Sequence, residues 1–343
     1  EDRILSMANS VKDVANLQDP VGEIIEDYER PNGLKVQRRR IPLGVIGIIY
    51  ESRPNVTIEA ASLCFYAGNG LLLRGGSEAF HSNMALVNIL KDVLKIYNLE
   101  NVVDIVPDTN RENVDEMAKM NEILDIIIPR GGEGLIRHIY SVATVPVIAH
   151  YKGNCHMFVD AEADLVKANA IVMNGKVQRP GVCNALETLL VHQDVANTFL
   201  PKMIDSLYSA HVEIRGCEKT QSYSDKIVPA TNKDYDTEFL ELTLAIKVVD
   251  DLDNAIAHIQ EFTSNHTEGI ISQDQHAIDT FIQALDSSAI MVNTSTRFND
   301  GGQLGLGAEI GISTTKLHSF GPMGLRELTT TKFVVFGDGQ VRE

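Results

Sequence analysis

Several things that would each fix a function class are missing from this sequence. No apolar run approaches the roughly 18 residues that cross a bilayer as a helix, so no transmembrane helix is expected. Positive charge is in deficit: 30 Lys and Arg stand against 47 Asp and Glu, a formal net charge of −17, and no basic tail offsets it. Broad nucleic-acid binding needs a positive footprint that displaces counterions from phosphates, and that footprint is absent. Anionic small ligands stay open, because a few local cations can override the global sign. Cysteine is scarce, with Cys64, Cys155, Cys183 and Cys217 at irregular spacing and no CxxC pair. That rules out a disulfide framework, argues against a structural zinc site and fits reduced thiols in a cytosolic protein. The GxGxxG dinucleotide fingerprint is also missing, since GLGAEIG (305–311) has the wrong spacing and sits too late. No signal peptide is visible. The sequence opens Glu1-Asp2-Arg3 without Met, residues 4–15 already read as helix, and an N-terminal piece is expected to precede them.

What is present is an alternation of strands and helices. At roughly 150 residues per domain, 343 residues suggest two domains. Residues 21–40 read as a β-hairpin turning at Pro31-Asn32-Gly33. Its second arm ends in Arg38-Arg39-Arg40, read first as a solvated cluster on an edge strand and second as a ligand contact. LGVIGIIY (43–50) is a continuous apolar run, as a strand covered on both faces requires. It is followed by helix 56–66, strand 71–74, helix 78–97, strand 102–106, helix 111–120, strand 123–128, helix 134–140 and strand 145–149. A second series runs through strand 188–192, helix 194–208, strands 212–216 and 244–250, helix 251–261, strand 268–272, helix 274–285 and strand 289–293. Such alternation implies doubly wound parallel sheets, a class that holds nucleotides at the carboxyl ends of its strands. MNGKVQRPGVCNALE (173–187), rich in turn formers, separates the two series. The tail 329–339 is one more strand, which could join the 21–40 hairpin in a three-stranded flap that pairs with another subunit.

Two turns could receive phosphate. Gly131-Gly132 precedes a helix, where free N–H groups attract an anion, although a plain tight turn explains the glycines equally well. Arg74-Gly75-Gly76-Ser77 brings a guanidinium and N–H donors together at another strand-to-helix turn. With no acidic residue evident there to bind ribose hydroxyls, this turn favours NADPH over NADH. Among the thiols, Cys64 lies in an apolar run and reads as core. Cys183 follows Arg179-Pro180-Gly181 within reach of Lys176 and Arg179, and nearby positive charge stabilises the nucleophilic thiolate. Cys155 competes with it through the neighbouring His150 and His156, a pairing that would suit a hydrolase or acyltransferase.

Three stretches decide between these readings. YESRPNVT (50–57), NTSTRFNDGG (293–302) and LGLGAEIGISTTKLHSFGPMGL (304–325) resemble the gamma-glutamyl phosphate reductase family of the aldehyde dehydrogenase superfamily. AIAHIQEFTSNHTEGI (255–270) is similar to that family's histidine-containing signature, departing from it at Phe262 and Thr263. The resemblance covers essentially the whole chain. It implies an aldehyde-dehydrogenase-like α/β fold: an NADPH-binding domain (1–18 and 42–152), a catalytic domain (153–327) and a β oligomerisation flap (19–41 and 328–343).

The activity implied is NADPH-dependent reduction of L-glutamyl 5-phosphate to glutamate 5-semialdehyde and phosphate, the second step of proline biosynthesis. An NAD(P)-dependent dehydrogenase acting on another small aldehyde is the alternative. By the resemblance, Cys183 is the nucleophile and Asn55 the side-chain oxyanion donor. Arg74 matches a lysine that contacts the adenosine ribose and its phosphate; the turn chemistry above adds Gly76, Ser77, Gly131 and Gly132 as cofactor contacts. Glu238 matches the glutamate that holds the nicotinamide ribose. His150 stands where oxidising relatives carry the glutamate that activates water against the thioester, a base that an acyl-phosphate reductase does not need. Arg53 and Arg297 are the arginines best placed for the substrate's anionic groups, and each could instead be a structural arginine paired with Glu51 or Asp300. A homo-oligomer and functional pairing with glutamate 5-kinase, separate or fused, complete the expectations.

Overall fold

The computed structural model describes residues 2–342. Its contacts divide the chain into two compact units, Glu1–Ala149 with Gly305–Glu343, and His150–Leu304.

The first unit is built on four parallel strands in the order Val103–Ile105, Gly70–Gly75, Val45–Tyr50, Ile126–Arg130. Val45–Tyr50 is apolar at successive positions because both its faces are covered. Ile46, Ile48 and Tyr50 pack with Val56, Ala60 and Leu63 of helix Pro54–Tyr66, while Ile49 packs with Met117, Ile127 and Ile139. Val145–Ala149, read as a strand, makes only one bridge, between Val147 and Ile127. Pro146 in that segment has no N–H to give to a ladder.

The hairpin strands Ile24–Glu29 and Lys35–Pro42 join Thr329–Phe336 in a three-stranded antiparallel sheet with Lys35–Pro42 at its centre. Arg38, Arg39 and Arg40 are therefore on the middle strand, not on an edge. Arg38 pairs with Glu26 at 3.1 Å and Arg40 with Glu23 at 2.9 Å. Residues 305–327 differ from the expected domain boundary. Ile310, Met323 and Leu325 are buried in one cluster with Ile46 and Ile48, so this stretch folds with the first unit.

The second unit is a seven-stranded parallel sheet in the order Val228–Pro229, Glu213–Gly216, Thr243–Val249, Leu186–His192, Cys155–Val159, Thr267–Ile271, Ala289–Val292. Cys155–Val159, not foreseen from the sequence, is fully buried between Leu186–His192 and Thr267–Ile271. The following helix, Leu165–Val177, was also missed. Asp164 caps it, accepting from the N–H groups of Val166 and Lys167. The helix takes in Asn174 and Gly175 from the stretch that reads as turn formers, and Leu186 lies 3.2 Å from where a Cβ on Gly175 would stand. The true loop is residues 178–185, and Cys183 is on it.

Candidate active site

The loop carrying Cys183 is pinned from below. Cys155 Sγ donates to the carbonyl of Cys183 at 3.2 Å. Gly153 lies so close that a Cβ there would fall 1.9 Å from the same carbonyl oxygen. Only glycine lets residues 150–154 run against the Cys183 backbone. Asn184, buried beside Cys183, donates to the carbonyl of Asn299 at 2.9 Å. Cys183 is left half-buried, whereas Cys155 is fully buried.

That difference separates the two competing thiols. Burial above all, with Glu268 and Cys183 adding to it, pushes the Cys155 thiol well above the ordinary range, so it stays protonated. Burial likewise pushes the Cys64 thiol up. Cys217 is half-buried at 3.2 Å from the Thr220 hydroxyl. His156, on the opposite face of its strand from Cys155, bonds Glu268 at 2.9 Å with both side chains fully buried.

Two imidazoles meet Cys183. The ligand atoms of His150, Cys183 and His266 all lie within 4.8 Å of one another. The rings of His150 and His266 meet edge to face with centroids 5.3 Å apart. Burial, then the nearby His150, pulls the His266 pKa well below its usual value, so this ring is neutral. Its Nδ1 lies 2.7 Å from the Thr267 hydroxyl and 3.8 Å from Cys155 Sγ, and Asn299 donates to that hydroxyl at 2.8 Å. Cys183 also feels Arg297, on the turn Thr296–Phe298. Arg297 donates through Nε to Gln178 at 2.9 Å, in place of the Asp300 pairing weighed from the sequence. Burial and then the like charge of Arg179 lower its pKa.

Next to this loop lies a buried ion pair that the sequence did not suggest. Lys176 Nζ meets Glu187 Oε2 at 2.6 Å, both side chains wholly buried. The other oxygen of Glu187 accepts from the backbone N–H of Leu240 at 3.2 Å, and Lys176 sits 6.0 Å from the ring centre of Phe239. The pair thereby holds the loop that carries the half-buried Glu238. Leu240 is strained there, at a φ of 56°. Lys152 is paired with Asp236 at the base of the same loop.

In the first unit the residues of both glycine turns have partners within the chain. The N–H of Gly132, offered to a phosphate, is taken by Glu51 at 2.9 Å, and a Cβ on Gly131 would fall 2.7 Å from that carboxylate. The anion at this helix N-terminus is the protein's own. Arg74 is buried and donates to the carbonyls of Gly75, Thr109 and Asn110 at 3.0 to 3.2 Å, so its guanidinium braces a loop. At the Gly76-Ser77 turn an acidic residue is present after all. Glu78 accepts from Ser52 at 3.2 Å, and its Oε2 lies 2.8 Å from where a Gly76 Cβ would stand. Hydrogen bonds from its own backbone and from Ser52 hold its carboxyl below the usual range. Asn55 is in the first turn of helix Pro54–Tyr66, donating to Glu59 at 3.0 Å. Arg53, the residue before that helix, is exposed.

Residues 2–222 match the model of the aldehyde dehydrogenase family. Over its whole length the chain is 55% identical to the gamma-glutamyl phosphate reductase of Geotalea daltonii and 56% identical to that of Geobacter metallireducens, covering 82% of each. The crystal structure of gamma-glutamyl phosphate reductase from Thermotoga maritima superposes with a TM-score of 0.98 at 50% identity, over all of this chain and 83% of that one. An acetylating aldehyde dehydrogenase from Geobacillus thermoglucosidasius shares the fold at 18% identity and a TM-score of 0.74, over 98% of this chain and 83% of that one. The chain belongs to the aldehyde dehydrogenase family, on its gamma-glutamyl phosphate reductase branch.

Proposed function

We propose that the chain reduces L-glutamyl 5-phosphate to glutamate 5-semialdehyde and phosphate through a thioester on Cys183, the second step of proline biosynthesis. The observation that carries the reading is the setting of Cys183. It is the half-buried thiol whose neighbours are two imidazoles and the cationic Arg297, in a chain more than half identical to enzymes of that name.

Each residue then has a task. The thiolate of Cys183 attacks the acyl carbonyl, and the loop pinned by Cys155 and Gly153 fixes the direction of attack. The Cys183 N–H meets the developing oxyanion, and Asn55 is the side-chain donor that the family resemblance implies, here bonded to Glu59. Phosphate departs as a weak base, so it needs little help from a general acid. Arg297, with Arg179, supplies positive charge for the substrate's anionic groups, and Arg53 remains the candidate that the first unit offers. His150 replaces a water-activating carboxylate, which keeps the thioester from being hydrolysed.

A nicotinamide dinucleotide supplies the hydride that takes the thioester to the aldehyde. Glu238 suits its nicotinamide ribose, being half-buried on a loop that the Lys176–Glu187 pair holds still. In the first unit Ser77 and Glu78 present donors and a carboxylate to a ribose. We take NADPH as the donor on the strength of the family. The three-stranded sheet leaves Ile24–Glu29 and Thr329–Phe336 as edge strands with Ile24, Phe333 and Val335 exposed, and pairing with a second copy would cover them.

The test is the reverse reaction. Glutamate 5-semialdehyde, NADP and phosphate are mixed, and NADPH absorbance is followed for wild type and Cys183→Ser. Phosphate-dependent NADPH formation that disappears in the variant is expected. Turnover without phosphate would mean a hydrolytic aldehyde dehydrogenase and would overturn the reading.

A further inference from the structure

We propose that His150, Cys183 and His266 together form a zinc-binding site that reversibly switches the nucleophile off. The three ligand atoms already converge within 4.8 Å of one another, inside a single unit of the chain. Zinc at ~2.3 Å from sulfur and ~2.0–2.1 Å from nitrogen in a tetrahedron puts neighbouring ligands about 3.5 Å apart. The cluster therefore has to close by up to about 1.3 Å. His150 can supply that movement, being half-buried on a segment without regular structure.

A second observation points the same way. His266 is wholly buried, and its Nε2 is a buried polar atom without a hydrogen-bond partner among the described residues. A lone ring nitrogen held dry in this way costs free energy unless something occupies it. The ring is oriented by Thr267, which Asn299 holds in turn. One thiolate and two imidazoles form a set that selects zinc over magnesium or calcium, which prefer oxygen. A tetrahedral ion on these ligands keeps one position open for water or an anion.

The chemistry balances without a redox partner. Cys183 gives up its thiol proton to solvent, and the freed electron pair forms the Zn–S bond. That pair is the one needed for attack on the acyl carbonyl, so the metal-bound thiolate is silent. Zinc binding itself stands independently of the reaction proposed above, and only its consequence for turnover rests on that reading.

The experiment uses the full chain stripped of metal and titrated with zinc or cobalt(II) chloride. Cobalt should produce an intense near-ultraviolet thiolate-to-metal band together with the visible bands of a tetrahedral ion. With zinc at about ten times its Kd, alkylation of Cys183 by iodoacetamide should slow roughly tenfold and recover with EDTA. His150→Ala and His266→Asn should each weaken zinc binding ~10–100-fold, while Cys217→Ser should not change it. Zinc protection of equal strength in His150→Ala would overturn the proposal, as would a cobalt spectrum without the thiolate band. If His266→Asn does not fold, His150→Ala decides alone. These readouts need no turnover, so an error in the reaction assignment would leave them intact and be visible as such.

Discussion

Glu187→Gln removes one charge from the buried pair beside the Cys183 loop and changes little else. The amide keeps the length of the side chain and an oxygen that can still accept from Leu240 N–H. What it leaves is the Lys176 ammonium, wholly buried and without its carboxylate 2.6 Å away. Above about pH 7, where the Glu187 carboxyl is ionised, removing one partner of such a pair costs ~3–5 kcal/mol, because the survivor is an uncompensated charge in a medium that solvates it poorly. At roughly 2–4 °C of melting temperature per kcal/mol for domains of 150–250 residues, Tm should fall by about 6–20 °C. The double variant Lys176→Met, Glu187→Met should recover most of that, since it buries no charge at all. The pair also sets a pH dependence. Burial, outweighing the opposing pull of Lys176, raises the Glu187 carboxyl from 4.5 to about 7. The folded chain then keeps a proton that the unfolded chain releases, so this group's contribution to stability falls between pH 4.5 and about 7 and is level above that. Thermal unfolding of wild type and both variants, followed by circular dichroism from pH 5 to pH 8, measures the two effects. A loss below about 1 kcal/mol for Glu187→Gln would match an exposed pair and refute the reasoning. So would a double variant no more stable than the single one.

Three further outcomes follow from the site. Gly153→Ala should cost about 100-fold in kcat/KM, because the Cβ has to displace the Cys183 carbonyl and misplacement by about an ångström has that effect; unchanged turnover with normal iodoacetamide labelling would contradict it. His150→Glu restores a water-activating carboxylate beside Cys183 and should make oxidation of glutamate 5-semialdehyde proceed without phosphate, read as NADPH formation with phosphate omitted; continued dependence on phosphate would sink that role for position 150. Glu78→Gln removes the carboxylate at the Gly76-Ser77 turn and should shift the ratio of kcat/KM for NADPH over NADH upward by about tenfold through lost repulsion of the 2′-phosphate, whereas an unchanged ratio would place the adenosine ribose elsewhere.

The strand and helix alternation was legible because burial on both faces forces continuous apolar runs, as in LGVIGIIY, and because helices announce themselves through spacing and caps. The flap strands were legible for the opposite reason, since 21–40 and 329–339 carry too little apolar surface to fold alone. Strand Cys155–Val159 was hidden because it is short and begins with Cys and His, which read as chemistry before they read as structure. A signal did exist. Glu268 lies in the apolar run EGIIS, and a carboxylate in a buried strand needs a partner on the neighbouring strand. The parallel register sets Glu268 beside His156, and the same register brings His266 toward Cys155 and Cys183. Lys176 was hidden in the same way. It was weighed as a cation that tunes Cys183, whereas eleven residues on Glu187 takes up its charge.

The Gly131-Gly132 and Gly76-Ser77 turns share one feature. A pair of glycines ahead of a helix exposes N–H groups that attract negative charge, and the physics does not distinguish a ligand's phosphate from the chain's own carboxylate. In a chain of net charge −17 carboxylates are plentiful, so Glu51 reaches Gly132 and Glu78 settles at Gly76 and Ser52. The arginine expected to offset them, Arg74, is committed to three backbone carbonyls. Positive charge gathers instead around Cys183, where burial and then the like charge of Arg179 lower the proton affinity of Arg297. Keeping two like charges together has a cost that a bound anion removes, which supports the proposed recognition of the acyl phosphate on the second unit, beside Cys183.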